Sequence, residues 1–105
     1  MKRSVITIAV LGFLLCGCMS MAQRGALGRA YSNYQKGDYE DVLELASRAE
    51  NYQEPSREMK AEILFLKALA LEKLERYEEA QGTFKFLSDK FNDTEYGYRA
   101  KEKIK

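Results

Sequence analysis

At roughly 100° per residue, Ile63, Leu64, Phe65, Leu66, Ala68, Leu69, Ala70, Leu71 and Leu74 point around nearly the whole circumference of one helix. A helix that is apolar on every side of a globular domain has to be sandwiched between neighbours. This helix spans about 56–75, with Ser56 as its N-cap, and the flanking sequence supplies the neighbours. Residues 25–36 read as a first helix with Leu27, Ala30, Tyr31 and Tyr34 on one side. Gly37-Asp38 ends it, because Gly readily takes the left-handed conformation of a helix terminus. A second helix, about 39–51, carries the stripe Tyr39, Val42, Leu43, Ala46, Ala49, and residues 52–55, with the single Pro, form a loop. A fourth helix, about 77–91, has the stripe Tyr77, Ala80, Phe84, Leu87, Phe91, and Gly82 inside it costs about 1 kcal/mol relative to Ala. Asn92-Asp93-Thr94 breaks the chain and caps a last helix over 95–105. The expected fold class is all-α.

The second and fourth helices open alike. Gly37-Asp38-Tyr39-Glu40-Asp41-Val42 aligns with Glu75-Arg76-Tyr77-Glu78-Glu79-Ala80 at a spacing of 38 residues. The pattern resembles the tetratricopeptide repeat (TPR), a helical hairpin of about 34 residues per unit. In the second unit Ala68 takes that family's small crossing position and Leu71 its usual Tyr position. Ala80 and Phe84 match the Ala-x-x-x-Phe pair, and Asn92 stands where the terminal Pro is expected. In the first unit Ala30 matches the small position and Tyr34 sits one residue beyond the usual Tyr. Val42 and Ala46 replace the Ala and the aromatic. The extra residues of each stride fall in the 52–57 loop and the lengthened third helix. The resemblance covers 25–91 and implies a TPR-like α-solenoid of two helix hairpins, with 95–105 as a capping helix or incipient third unit. An unrelated helical bundle is the other fold that this spacing allows. Phe91-Asn92-Asp93-Thr94-Glu95-Tyr96 is also similar to the inter-repeat segment of TPR lipoproteins of outer-membrane assembly.

Ahead of this domain, Lys2 and Arg3 precede an apolar run of 11 residues, Val5 to Leu15, that closes on Leu15-Cys16-Gly17-Cys18. Eleven helical residues reach roughly 16 Å, about half a bilayer core, so the run reads as an export signal rather than a span. It resembles the signal of bacterial lipoprotein precursors. Leu15 and Gly17 match their attachment box, and Cys16 in its middle departs from it. The resemblance implies a signal peptide over 1–17, cleavage before Cys18, and lipidation of Cys18 by a diacylglyceryl group and an amino-terminal acyl chain, palmitate among them. Residues 18–24 would then be the lipidated Cys and tether, and 25–105 the helical domain. The alternative is an ordinary signal cut near Ala22 that releases the protein from the membrane.

Removing 1–17 from 105 residues leaves 88, enough for one small domain. Lys2 and Arg3 leave with the signal, so 15 of 17 basic residues face 16 acidic ones. That balance gives no reason to expect a nucleic-acid partner or a polybasic membrane-binding surface. The run Arg99, Lys101, Lys103, Lys105 is a solvated helix end whose cations suit the dipole, or a site for an acidic partner. With Cys16 removed and Cys18 acylated, no disulfide can form. His is absent altogether, which removes the commonest general base and transition-metal ligand. Ser20, Ser32, Ser47, Ser56 and Ser88 therefore have no His to activate them. Glu40-Asp41 and Glu78-Glu79 sit at helix starts, where neighbours diverge by about 100° and negative charge suits the dipole. The expectation is a protein that is not an enzyme, with no cofactor, metal or small-molecule substrate.

Stacked helical hairpins present a surface lined by the first helix of each pair. By the resemblance this surface carries Leu27, Tyr31, Tyr34, Phe65, Leu69 and Glu72. Tyr and Phe are favoured contact anchors, and core packing is their competing role, the heavier one for Leu27 and Leu69. Phe86 lies off the stripe of its helix, so it is covered by the last helix or exposed to a partner. The expected partner-binding residues are thus Tyr31, Tyr34, Phe65, Leu69, Glu72 and Phe86. Two units and a cap fall short of the roughly three repeats a stable solenoid needs, which favours self-association or docking on a larger envelope protein. The functional expectation is a membrane-anchored envelope lipoprotein serving as a protein–protein adaptor or scaffold. Met19 follows Cys18 in place of the Asp that the family associates with inner-membrane retention, so the outer membrane, facing the periplasm, is the expected site. The alternative is a self-assembling structural lipoprotein with no dedicated client.

Overall fold

The computed structural model describes residues 21–105, and all regular structure among them is helical. Helix α1 covers 21–36, α2 Tyr39–Tyr52, α3 Arg57–Lys73, α4 Tyr77–Lys90 and α5 Glu95–Lys103. The all-α expectation and its five helices stand. The tether expected over 18–24 is helical from residue 21 onward, while residues 18–20, Cys18 included, and the signal over 1–17 lie outside the described residues. Helix α1 is already formed at residue 21, ahead of the expected start, because one face of its first described turns is buried against α2. The side chain of Gln23 is 2% exposed, and its Nε2 donates to the carbonyls of Ala49 at 2.8 Å and Gln53 at 3.0 Å. These acceptors sit at the end of α2, where no later helical amide is available to satisfy them.

The sequence stride of 38 residues recurs as geometry. Helices α2 and α4 are both 14 residues long and begin and end 38 positions apart. Gly37 and Glu75 both take positive φ, 87° and 62°. Asp38 and Arg76 follow with matching backbone angles, φ −87° and ψ 66° against φ −92° and ψ 66°. The Asp38 amide reaches the Asn33 carbonyl and the Gly37 amide that of Tyr34; Arg76 likewise reaches Leu71 and Glu75 reaches Glu72. This is the Schellman pairing that closes a helix C-terminus. Helix starts repeat as well. Ser56 accepts from the Met59 amide at 3.2 Å, and Thr94 accepts from the Gly97 amide at 3.0 Å.

Two apolar clusters meet through α3. Leu27, Ala30, Val42, Ala46, Ile63, Leu66 and Ala70 join α1, α2 and α3. Ala61, Ala68, Leu71, Ala80, Phe84, Leu87 and Ala100 join α3, α4 and α5. Helix α2 packs on α3 but not on α4 or α5, and α4 packs on α3 and α5. The all-round apolar sequence of α3 is thus used on both sides, as sandwiching requires. Helix α5 closes against the α4 terminus at Gly97, where a Cβ would fall 1.8 Å from the Phe91 carbonyl oxygen. Among the described residues no helix is long and apolar enough to cross a membrane.

Candidate protein-docking face

Helix α3 exposes one edge between α1 and α5, and five of the six expected contact residues belong to this region. Its centre is Glu62. Carboxylate oxygen Oε2 accepts from the Tyr31 hydroxyl of α1 at 3.1 Å and from the Tyr96 hydroxyl of α5 at 2.9 Å. One acidic side chain therefore links three helices. Burial pushes the Tyr31 phenol far above its ordinary value near 10, and the adjacent Glu62 charge adds to the shift. Tyr96 is raised by burial first and then by its hydrogen bond to Glu62. Among the described residues no cluster of His, Cys, Asp or Glu could hold a metal ion.

The aromatic lining continues along α3. The half-buried Phe65 ring stands edge-on to Phe84 at 5.7 Å and tilted against Tyr96 at 5.5 Å. Leu69 packs into the same cluster. Glu72 pairs with Lys103 of α5 at 3.1 Å, and the Lys103 ammonium also lies over the Phe84 ring. The last helix thus occupies part of the expected surface, covering Phe65 and neutralising Glu72. Tyr34 is half-buried and stands edge-on to Tyr39 at 5.4 Å; burial raises its phenol too, against the opposing charge of Lys73. Tyr31, 37% exposed, remains open to solvent.

Phe86 is not brought to this face. It is 47% exposed on α4 and leans on Phe91 at 5.9 Å, so the last helix does not cover it. Arg57 stacks over the other part of that patch, 4.7 Å from the Phe91 ring, while pairing with Asp93 at 2.6 Å. The hydrogen bonds from this guanidinium hold the Asp93 carboxyl below its ordinary range. Sequence reasoning missed Glu62 and Tyr96. Glu62 carried a signal, being the one carboxylate between Glu58 and Glu72 in a run that is apolar apart from Lys60 and Lys67. Tyr96 carried none, because its role depends on α5 folding back beside α3.

Neither a family model, nor a curated protein, nor a solved structure matches this chain.

Proposed function

We propose that this chain is an envelope lipoprotein whose TPR-like stack of two helical hairpins and a capping helix acts as a protein–protein adaptor. The observation that carries this reading is the face built by Tyr31, Glu62, Phe65 and Tyr96. Three aromatic rings and a carboxylate there converge from three helices, with Tyr31 open to solvent. Aromatic groups of limited flexibility anchor polypeptide contacts at low entropic cost, and a carboxylate framed by rings suits a Lys or Arg side chain. The helical order supports a repeat stack, since turns and caps recur at one stride. Lipid attachment at Cys18 and outer-membrane placement rest on the sequence motif.

Photo-crosslinkers in place of Tyr31 and Tyr34 test the adaptor reading in cells, with Glu44 on α2 as the control position. One recurring heterologous product from both positions, weakened by Glu62→Lys and absent from the control, supports it. Products containing only this chain would replace it with the self-assembling structural lipoprotein. Mass spectrometry of membrane-extracted protein tests the anchor: an unmodified chain beginning after Cys18 would overturn it.

A further inference from the structure

The near-neutral charge of the whole chain conceals an asymmetry that the helices make spatial. All 16 acidic residues lie at position 38 or later, so α1 carries Arg24, Arg29 and Lys36 and no carboxylate. The four arginines beyond α1 (Arg48, Arg57, Arg76 and Arg99) each pair with a carboxylate. Among the described residues, neither arginine of α1 forms an ion pair, and neither does Lys36. All three are exposed. On a helical projection they fall with Met21, Gly25, Gly28, Ser32 and Gln35 within about 140° of arc. This arc lies opposite the buried Gln23, Ala26, Leu27 and Ala30. The result is a cationic face with no competing charge, small residues at its middle and one exposed apolar side chain, Met21, at its amino-terminal end.

Position along the chain says what covers this face. Only Met19 and Ser20 separate Cys18 from the first described residue, and three residue steps reach at most about 10 Å. The apolar run over 5–15 lies immediately before. Whether an acylated Cys18 or that run holds the amino end, α1 is the helix nearest the bilayer, at about the Debye length of physiological salt. We propose that the outward face of α1 lies on an anionic phospholipid surface, with Arg24, Arg29 and Lys36 against the headgroups and the carboxylate-bearing helices turned away. This rests on the membrane-anchored reading above. It also fixes an orientation, because Tyr31 on the flank of α1 then places the docking face beside the membrane.

The chain contains no Trp, so Ser32→Trp provides a single fluorophore in the middle of the face and Glu44→Trp a control on α2. Each full-length variant is reconstituted with phosphatidylcholine vesicles, with and without phosphatidylglycerol, bearing a headgroup spin label. Ser32→Trp is expected to be quenched on the anionic vesicles and released by high salt, whereas Glu44→Trp is not quenched. Replacing Arg24, Arg29 and Lys36 by Gln should release it in low salt too, with unchanged helicity by circular dichroism. Anionic-surface affinity should fall roughly fivefold per cation removed. Equal quenching on neutral and anionic vesicles overturns the proposal, as does preferential binding to polyglutamate over the anionic vesicles. Flotation separates the two readings. A chain that floats with neutral vesicles but leaves Ser32→Trp unquenched on anionic ones keeps its anchor and loses the headgroup contact. A chain that fails to float with neutral vesicles loses the anchor. The headgroup contact then stands on salt-sensitive flotation with anionic vesicles and falls without it.

Discussion

Glu75 holds a left-handed backbone, φ 62°, at the position where the preceding stride has Gly37 at 87°. A side chain in that region costs about 1 kcal/mol, and a Cβ at Gly37 would meet nothing within 4 Å, so backbone strain alone separates the two sites. Glu75→Gly should therefore stabilise the fold by about 1 kcal/mol and Gly37→Ala destabilise it by a similar amount, read as opposite shifts in urea midpoint at constant slope. The turn at Gly37 was legible because Gly announces it. The turn at Glu75 was legible only through its alignment with Gly37. Gln23 and Tyr96 were not legible, since each acts on a partner 26 to 34 residues away, and Glu62 was marked only as a lone carboxylate, with nothing local to name its two phenol partners. The phenols give a second prediction. Tyr31 and Tyr96 are raised above 10, so the folded state keeps protons that the unfolded chain releases. Their stabilising contribution is complete below pH 10 and is lost as pH rises toward the folded values. Denaturation at pH 8 and above pH 10 should show stability falling, with a shallower fall in the double variant Tyr31→Phe, Tyr96→Phe.

Among the helices, two glycines behave in opposite ways. Gly82 lies exposed within α4, and a Cβ there would meet nothing within 4 Å. Gly82→Ala should stabilise the protein by about 1 kcal/mol through helix propensity alone, raising the melting temperature. Gly97 sits in the first turn of α5, and a Cβ would collide with backbone at Phe91, which cannot swing aside as a side chain would. Gly97→Ala should cost on the order of 3 kcal/mol and release α5 from α4, seen as faster amide exchange over 95–103. In sequence both are simply glycines inside helical segments. The penalty at Gly82 could be read there; the need for Gly97 could not, because it arises from the close approach of a neighbouring carbonyl. The helix boundaries themselves were largely legible, since Ser56 and Thr94 are caps whose chemistry is local. The early start of α1 was hidden because a polar residue, Gln23, fills a core position.

At the scale of the molecule, stability is divided between two apolar clusters. The two clusters meet chiefly through α3, with Leu43 of α2 packed against both, and among the described residues α2 does not pack on α4 or α5. Phe84 is fully buried in the second cluster, so Phe84→Ala should cost about 3–5 kcal/mol. The loss should be uneven: hydrogen exchange is expected to accelerate over α4 and α5 before α1 and α2. The all-round apolar pattern of α3 made this central role readable from sequence alone. The place of α5 was not, since its short helix reaches α3 through Tyr96 and Lys103 rather than through an apolar stripe. The constant interval between equivalent turns also makes the chain expandable. A duplicate of residues 37–74 spliced after Leu74 would enter on a left-handed Gly and leave into Glu75 as the parent does. Such a lengthened protein should gain two helices and keep both ends, behaving like a ruler with one more division marked on it.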